Sequence, residues 1–363
     1  MLKEKEIYMN LALKEAIKGA GKVSPNPLVG AIIVKNGKII GKGYHKVFGQ
    51  AHAEVNAFES CIESPAGADM FVTLEPCSHF GKTPPCVDRI ISEKIKRVYV
   101  GTADPSIQSG RKGVEILKNA GVEIGIGICE EKCRLINSSF FHFTETKTPY
   151  IVLKTASSLD GSIATDNNDS KWITNNKSRK FVHRLRNLYD AVLVGKNTVL
   201  FDDPELTVRS INGRNPARII VDRNLSLPLK KKVFDKSAET IVITSKNIEK
   251  LQETIYKDNC ITLVKVEEKE GLLDIKTAFA KIGETGITSI MVEGGCGIDS
   301  YLLKNRLVNR LHIFFAPMLI GSSKKYFSGS GIKSIADCIR LDVISVKRFG
   351  DDIFIDAHAR YIS

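Results

Sequence analysis

Four residues in the first third of the chain have side chains that could bind and use a metal ion. His52 and Glu54 lie two residues apart in QAHAEVNAFES (50–60), and Cys77 and Cys86 lie in TLEPCSHFGKTPPC (73–86). One imidazole and two thiolates make three ligands, the number that a catalytic zinc ion uses while its fourth position stays open to water. A zinc ion lowers the pKa of such a water to about 7. Glu54 is close enough to His52 to move protons there without binding the metal.

The predicted elements bring these residues to one place. His52 lies at the start of a predicted helix that also contains Glu54, and Cys77 follows the predicted buried strand DMFVTLEP. Cys86 lies at the start of the predicted helix PPCVDRIISEKI, with Pro85 in its first turn. In an α/β layer, helix starts at the carboxyl edge of the sheet converge on one crevice. The order His-x-Glu … Pro-Cys is that of zinc-dependent base deaminases, which replace a ring amino group hydrolytically. The Cys-x8-Cys spacing is longer than their usual Cys-x-x-Cys.

Simpler explanations exist for each residue taken alone. A His-x-Glu pair on a helix is usually solvated surface, and single cysteines are usually core residues. His79, in the same loop, is an alternative ligand. A structural zinc ion normally has four protein ligands and would leave Glu54 without a role. The joint occurrence of the four residues, in this order, favours the deaminase interpretation and one zinc ion per chain.

The pattern along the chain predicts two α/β domains. A length of 363 residues exceeds one ordinary core, and strands alternate with helices throughout. The polar segment TKTPY (146–150) places the boundary between residues 1–147 and 148–363. The first domain is predicted to contain a hairpin around Asn36–Gly37 and to close with one helix over 130–146. The second is predicted to end in a hairpin around Gly350–Asp351.

Composition narrows the class of partner. No apolar run reaches the roughly 18 residues of a membrane span, and the polar start lacks a secretory apolar region, so we expect a cytoplasmic protein that binds no membrane. Eight cysteines in so long a chain do not form a disulfide framework. The net charge of +12 is spread, since residues 1–147 carry 20 basic and 16 acidic side chains. A diffuse positive field suits phosphorylated small molecules at least as well as nucleic acid.

The first half resembles a known family. The segments PNPLVG (25–30), HAEVNA (52–57), TLEPCSHFGKTPPC and ADPS (103–106), in this order, resemble the deaminase half of the bifunctional riboflavin biosynthesis enzymes, the RibD family. The resemblance implies a cytidine-deaminase-like fold in which the long loop between the cysteines is normal. It also implies a substrate pocket around the zinc ion. That pocket is formed by Asn26, His45, Lys82 and Asp104.

The second half contains a glycine turn suited to phosphate. In VEGGCGIDSYLL (292–303) a predicted strand runs into paired glycines and then a helix. Backbone N–H groups at such a turn bind phosphate without side chains, although many such turns are only tight turns. No Gly-x-Gly-x-x-Gly follows the first strand, so a Rossmann-type site is not supported.

Further segments resemble the reductase half of the same family, which has a dihydrofolate-reductase-like fold and uses NADPH. They are LKTASSLDGSIA (153–164), SKWIT (170–174), VGKNTVLFDDPELTVR (194–209) and PARIIVD (216–222). The implied NADPH contacts are Ala156, Trp172, Thr198, Asp202, Gly295, Cys296, Gly297, Ile298, Asp299, Ser300 and Tyr301. The implied substrate contacts are Lys154, Ser170, Arg186, Leu206, Arg209 and Glu293.

The residue types fit these implied roles. Arg186 and Arg209 could hold a phosphate by bidentate bonds, and Lys154 could bind a ring carbonyl and orient the substrate for hydride transfer. Alternatives remain: Trp172 as a core residue, Arg209 as an exposed strand charge, and Asp202-Asp203-Pro204 as a turn. The residue that holds the 2′-phosphate of NADPH is not identified.

The sequence as a whole predicts a bifunctional enzyme that acts on a phosphorylated pyrimidine. It would deaminate 2,5-diamino-6-(5-phosphoribosylamino)pyrimidin-4-one with zinc and then reduce the ribosyl group with NADPH; a homo-oligomer is expected. A nucleic-acid deaminase would need stacking aromatics beside basic residues, and the site loops offer only Phe80. A structural zinc domain joined to a regulatory nucleotide domain leaves Glu54 and Lys154 unexplained.

Overall fold

A computed structural model describes residues 2–81, 84–106, 112–328 and 331–361. The chain divides into two compact units, residues 1–147 and 148–363. Lys82, one of the expected substrate contacts, lies outside the described residues. Within the described ranges, no helix is both long enough and apolar enough to cross a membrane.

The first unit is a five-stranded sheet covered by helices. Its strands are β1 (Gly30–Lys35), β2 (Lys38–Tyr44), β3 (Asp69–Leu74), β4 (Arg97–Thr102) and β5 (Glu123–Ile126). Its helices are α1 (Leu2–Ile17), α2 (Ala53–Glu59), α3 (Cys86–Ser92), α4 (Lys112–Asn119), α5 (Glu130–Ile136) and α6 (Ser138–Thr146). The strand order is β2-β1-β3-β4-β5, in which β1 is antiparallel to both neighbours and β3, β4 and β5 are parallel. Asn36 and Gly37 both have positive φ, as a tight hairpin turn requires, which confirms the predicted hairpin.

Two predicted helices differ from those observed. The helix expected over residues 130–146 is two helices, α5 and α6, separated at Asn137. The Asn137 side chain accepts a hydrogen bond from the Leu28 N–H (2.7 Å) and donates one to the Leu28 carbonyl (2.9 Å), a long-range pairing that favours a break there. The helix expected over residues 84–95 begins at Cys86 and ends at Ser92, so Pro85 precedes it instead of lying in its first turn.

The second unit is built on a nine-stranded sheet. Its strands are β6 (Tyr150–Ser158), β7 (Ala191–Gly195), β8 (Ala217–Val221), β9 (Thr240–Ser245), β10 (Thr262–Val266), β13 (Ser289–Val292), β14 (Arg310–Ala316), β15 (Arg340–Phe349) and β16 (Asp352–Arg360), with a separate pair β11 (Glu268–Lys269) and β12 (Leu272–Leu273). Its helices are α7 (Asn176–Leu188), α8 (Lys196–Asp202), α9 (Lys250–Asp258), α10 (Ile275–Glu284) and α11 (Cys296–Lys304). The order is β10-β9-β8-β7-β13-β6-β14-β16-β15. The predicted terminal hairpin is confirmed as β15 and β16.

The alternation of side chains along β6 determines on which face of the sheet Lys154 lies. Ile151 and Leu153 belong to one apolar cluster, whereas Tyr150 and Val152 belong to the cluster on the opposite face of the sheet. Successive strand residues point to opposite faces, so Lys154 lies on the second face. Leu185 of α7 packs in that cluster too. The Lys154 side chain thus lies on the face of the sheet against which α7 packs.

Candidate active sites

The side chains of His52, Cys77 and Cys86 form a compact cluster. The His52 Nδ1 atom lies 3.4 Å from the Cys77 Sγ atom and 3.3 Å from the Cys86 Sγ atom. The three potential ligand atoms lie within 4.8 Å of one another. One imidazole and two thiols are the donor set that zinc prefers, with a fourth position left open. The residues present therefore fit a catalytic zinc ion.

Helix starts position two of these ligands. His52 immediately precedes α2, but its side chain forms no capping hydrogen bond, so its imidazole is available to the cluster. Cys86 is the first residue of α3, and its backbone N–H donates to the Cys77 Sγ atom (3.3 Å). The Val87 N–H donates to the Cys77 carbonyl (3.3 Å), which ties the loop to the helix. The long Cys-x8-Cys spacing thus still allows both cysteines to lie within contact distance of His52.

The pKa values of the two thiols are shifted in opposite directions. The hydrogen bond from Cys86, together with the interaction with His52, lowers the pKa of the Cys77 thiol to about 4. The same hydrogen bond and burial raise the pKa of the Cys86 thiol. The hydrogen bond to Cys77 raises the pKa of the His52 imidazole. The Cys77 thiol is therefore the group that most readily becomes a thiolate, the form in which a cysteine binds a divalent cation.

Glu54 is a buried carboxyl group beside this cluster. Only 3% of the residue is exposed. Burial, with a smaller contribution from the Cys77 charge, raises its pKa to about 7. A carboxyl group with such a pKa can both accept and return a proton near neutral pH.

A cavity of about 340 Å³ opens onto the cluster. Asn26, His45 and Asp104 line it, together with His52 and Glu54. The Asn26 Nδ2 and His45 Nε2 atoms lie 3.2 Å apart, and the His45 Nδ1 atom lies 3.1 Å from the Ala51 carbonyl oxygen.

These contacts orient the Asn26 amide. A carbonyl oxygen only accepts, so the His45 Nδ1 atom carries the proton. Burial lowers the pKa of His45 and favours the neutral ring. Its Nε2 atom then accepts from the Asn26 amide group.

Glu75 is a site residue that the sequence reasoning missed. It lines the cavity directly after β3 and is buried. Its carboxylate accepts from the N–H of Asp104 (3.4 Å) and from the N–H of Val114 in α4 (3.1 Å). It therefore ties the end of β3 to the loop that carries Asp104. In the sequence, the feature that could have indicated Glu75 is an acidic residue between the end of a predicted buried strand and Pro76. His79 also lines the cavity, but the three-ligand cluster does not include it.

A second cavity, of about 810 Å³, lies in the second unit. It follows the carboxyl ends of parallel strands and includes the glycine turn between β13 and α11. The expected site residues that line it are Lys154, Ala156, Ser170, Thr198, Asp202, Glu293, Gly295, Cys296, Gly297, Ile298 and Tyr301. The Ser170 hydroxyl donates to the Asp202 carboxylate (3.0 Å), so the two residues form one wall.

Lys154, Glu293 and Arg186 form a largely buried charge cluster at this cavity. The Arg186 guanidinium donates two hydrogen bonds to the Glu293 carboxylate (2.6 and 2.9 Å), and the Lys154 Nζ atom lies 3.1 Å from it. Burial alone would raise the pKa of Glu293, but the Arg186 and Lys154 charges outweigh it and lower that pKa. Two cations therefore share one carboxylate, which leaves one positive charge in excess.

Six expected site residues are not among the residues that line this cavity. They are Trp172, Arg186, Leu206, Arg209, Asp299 and Ser300. Trp172 is 67% exposed and lies under the Arg179 guanidinium (4.4 Å to the ring centroid), so the alternative of a core tryptophan is wrong. Arg209 pairs with Glu205 (2.6 Å), and Leu206 is buried. Asp299 is 1% exposed, and burial raises its pKa.

Family models match both units of the chain. The model described as the RibD C-terminal domain matches residues 149–355. The model described as the cytidine and deoxycytidylate deaminase zinc-binding region matches residues 2–102. The residues matched include the zinc-ligand cluster in one case and the Lys154–Glu293–Arg186 cluster in the other. The two clusters thus lie in two different matched regions.

Several relatives match the chain over nearly its whole length. The chain is 44% identical to riboflavin biosynthesis protein RibD of Aquifex aeolicus over 96% of either chain. It is 38% identical to RibD of Actinobacillus pleuropneumoniae, over 96% of this chain and 94% of that one. A solved structure from Thermotoga maritima, a diaminohydroxyphosphoribosylaminopyrimidine deaminase/5-amino-6-(5-phosphoribosylamino)uracil reductase, matches with a TM-score of 0.87 and 37% identity over 99% of each chain. The chain belongs to the RibD family of riboflavin biosynthesis proteins.

Proposed function

We propose that the chain catalyses two consecutive steps of riboflavin biosynthesis. The unit of residues 1–147 deaminates 2,5-diamino-6-(5-phosphoribosylamino)pyrimidin-4-one with zinc. The unit of residues 148–363 then reduces the ribosyl group to ribityl with NADPH, which yields 5-amino-6-(5-phosphoribitylamino)uracil. The observation that carries the proposal is the buried Glu54 carboxyl beside a three-ligand cluster at the wall of a cavity.

The residues of the first unit have complementary roles in the deamination. When bound by His52, Cys77 and Cys86, zinc makes a water molecule nucleophilic at neutral pH. Glu54 would take the two protons of this water one after the other, passing the first to the ring nitrogen and the second to the amino group that leaves as ammonia.

The other walls of the cavity recognise the substrate. Asn26 and Asp104 hold the polar edge of the pyrimidine, and His45 orients the Asn26 amide. We assign Lys82 to the ribose phosphate, on the resemblance alone.

The residues of the second unit bind a cofactor and an anionic substrate side by side. NADPH supplies the hydride when bound. Lys154 carries the excess charge of its cluster into the cavity, where it can bind a ring carbonyl or a phosphate oxygen. Glu293 holds Lys154 by an ion pair, and Arg186 in turn holds Glu293. Ser170, Leu206 and Arg209 complete the substrate contacts.

The proposed cofactor contacts surround the glycine turn. Backbone N–H groups at the start of α11 interact favourably with a negatively charged group such as a phosphate. The contacts are Ala156, Trp172, Thr198, Asp202 and residues 295–301. A Cβ atom at position 294 would lie 3.0 Å from side-chain atoms of Ile298, so a larger residue there would require Ile298 to shift by a few tenths of an ångström.

A nucleic-acid deaminase is the rival function that shares the zinc cluster. Phe48 and Phe140 line the deaminase cavity and could stack on a base, but no Lys or Arg lies among its described lining residues. A polymer backbone needs such cations along its path. The small-molecule substrate is therefore preferred. A cytoplasmic location and a homo-oligomeric state stay predictions from the sequence.

One experiment separates the two functions. The purified full chain, loaded with zinc, is given the diaminopyrimidine substrate and NADPH, and ammonia release and NADPH oxidation are followed together. We expect one NADPH oxidised for each ammonia released, with no inhibition by added RNA. Ammonia release from single-stranded RNA, with none from the diaminopyrimidine, would contradict the proposal.

A further inference from the structure

A row of four polar side chains crosses the sheet of the second unit: Glu293, Lys154, His312 and Asp356. The strand register pairs Lys154 of β6 with His312 of β14, and His312 with Asp356 of β16. Glu293 follows β13, and its carboxylate lies 3.1 Å from the Lys154 Nζ atom. Neighbouring strands are about 4.8 Å apart, so His312 flanks Lys154 on the side away from Glu293.

This row lies on the face of the sheet against which α7 packs. Leu311 and Ile313 belong to the apolar cluster of the opposite face, so His312 between them points toward α7. His312 is buried, and its Nε2 atom lies 2.8 Å from the Tyr189 hydroxyl oxygen. Tyr189 is also buried and immediately follows α7. The end of the helix is thus joined to the row by a side-chain hydrogen bond.

The hydrogen bond between Tyr189 and His312 has a defined direction. The His312 Nδ1 atom lies 3.3 Å from the Asp356 carboxylate, which only accepts, so Nδ1 carries the proton. Burial lowers the pKa of His312, and the Asp356 carboxylate offsets this effect only in part. The imidazole is therefore neutral, and its Nε2 atom accepts from the Tyr189 hydroxyl group.

Arg310 balances the charge of Asp356 without help from Lys154. Its guanidinium donates two hydrogen bonds of 2.6 Å to the Asp356 carboxylate. Burial alone would raise the pKa of Asp356, but the hydrogen bonds from Arg310 and His312 lower it. The neutral imidazole of His312 separates this second carboxylate from Lys154, which leaves Lys154 to pair with Glu293.

Helix α7 is attached to the row at two points. Arg186 donates two hydrogen bonds to the Glu293 carboxylate, and Tyr189, three residues later, donates to His312. Residues three apart lie on the same side of a helix. A shift of the end of α7 would therefore move Arg186, and with it the Glu293 carboxylate that holds Lys154.

We propose that Tyr189 and His312 are positioning residues of the reductase unit, whose hydrogen bond fixes the end of α7 and thereby the place of Lys154 in the substrate cavity. The proposal rests on the reductase function assigned above. Neither residue is among the described residues that line the cavity. They therefore act through Arg186 and Glu293 and do not contact the substrate.

Steady-state kinetics of NADPH oxidation on the deaminated product, with the full chain, test this assignment. Tyr189→Phe removes one hydroxyl group, and His312→Leu removes its acceptor. Each should raise the KM for the deaminated product about fivefold, the equivalent of one neutral hydrogen bond, while ammonia release from the diaminopyrimidine stays unchanged. Tyr256→Phe is the matched control, because it removes an equally buried hydroxyl group that donates to the Leu227 carbonyl (2.9 Å). It should keep the KM for the deaminated product.

The double variant separates positioning from stability. His312→Leu leaves the buried Tyr189 hydroxyl group unpaired and should lower the denaturation midpoint. Adding Tyr189→Phe replaces both partners by apolar groups and should recover most of that midpoint. The KM should stay about fivefold raised, because α7 still lacks its bond to the sheet. A double variant that recovered both the midpoint and the KM would overturn the proposal, since the pair would then be a stabilising contact only.

The same assay distinguishes this assignment from the function on which it rests. If the unchanged protein did not reduce the deaminated product, the proposed function would be wrong, and this assignment with it. If the unchanged protein reduced it and both single variants kept its KM, only the assignment of Tyr189 and His312 would be overturned.

Discussion

The zinc-ligand cluster of the first unit and the Lys154–Glu293–Arg186 cluster of the second both gather charged groups out of water, but they balance that charge differently. In the first, two thiols and an imidazole can be balanced by a bound cation, and their ligand atoms lie within 4.8 Å of one another. In the second, the counter-charge is internal, because Glu293 is shared by two cations. Removing a member of the first cluster should therefore cost metal and activity. Removing a member of the second should also cost stability.

The largest expected effect comes from removing both cysteines of the zinc cluster. Cys77→Ser with Cys86→Ser replaces two thiolates by hydroxyl groups, which are poor zinc ligands. Bound zinc should fall from one per chain to near none, measured by atomic emission, and ammonia release should stop. NADPH oxidation on the already deaminated substrate should continue.

The control for this variant is another cysteine of the same unit. Cys61 is half-buried and lies outside the cluster. Cys61→Ser should keep both zinc and ammonia release. Full zinc content in the double variant would place the metal elsewhere.

A stability loss should follow when the internal counter-charge of the second cluster is removed. Glu293→Gln leaves the buried Arg186 and Lys154 charges unpaired, at a cost of about 3 to 5 kcal/mol. Denaturant unfolding followed on the reductase unit should show this loss, whereas zinc content stays unchanged. An unchanged midpoint would mean that the carboxylate does not hold the cluster together.

The same variant predicts a pH dependence. The folded-state pKa of Glu293 lies below its ordinary value, so its contribution to the free energy of unfolding is complete above the unfolded value of about 4.3. It is lost as the pH falls through the folded value. The difference in stability between the unchanged protein and Glu293→Gln should thus be constant from pH 5 to pH 8 and shrink in stronger acid. A difference that grows on acidification would contradict the assignment.

A smaller effect is expected at Asn137, where a polar side chain substitutes for backbone pairing. Asn137→Ala leaves the N–H and carbonyl groups of Leu28 unpaired, which should cost about 1 to 3 kcal/mol. Leu28 follows Asn26 and Pro27 of the deaminase cavity, so we expect a raised KM for deamination with little change in kcat. Asn119→Ala, at the exposed end of α4, is the control and should change neither. A fall in kcat alone would show that Asn137 does not act through the substrate pocket.

The contrast between the two clusters also explains what could be read from the sequence. His52, Cys77 and Cys86 lie next to or at the start of regular elements within 35 residues, so their types and predicted positions indicated one site. Hairpin signals such as Asn36–Gly37 are equally local and were confirmed. The pairing of Arg186 with Glu293 joins residues 107 positions apart, and no local pattern encodes it. The break at Asn137 has the same origin, because its partner Leu28 lies 109 positions away.

The family resemblance identified site residues that local sequence patterns could not, but it did not indicate all of their contacts. It named Lys154, Arg186 and Glu293 as substrate contacts without indicating that Glu293 binds the other two. It did not indicate Glu75, whose role is to tie the Asp104 loop to α4. The exposure of Trp172 depends on the packing of the surrounding loop, which a single tryptophan in a sequence does not reveal.

The central claim is that the two clusters are separate active sites, and a crossed assay of two variants tests it most directly. Glu54→Gln and Lys154→Ala are each given the diaminopyrimidine and, separately, its deaminated product. Glu54→Gln should slow ammonia release by about 100-fold or more while NADPH oxidation on the deaminated product stays at the rate of the unchanged protein. Lys154→Ala should release ammonia normally and bind the deaminated product about 30-fold or more weakly. If Glu54→Gln, folded and with its zinc, also lost reduction of the deaminated product, the two activities would share one site and the account would be wrong.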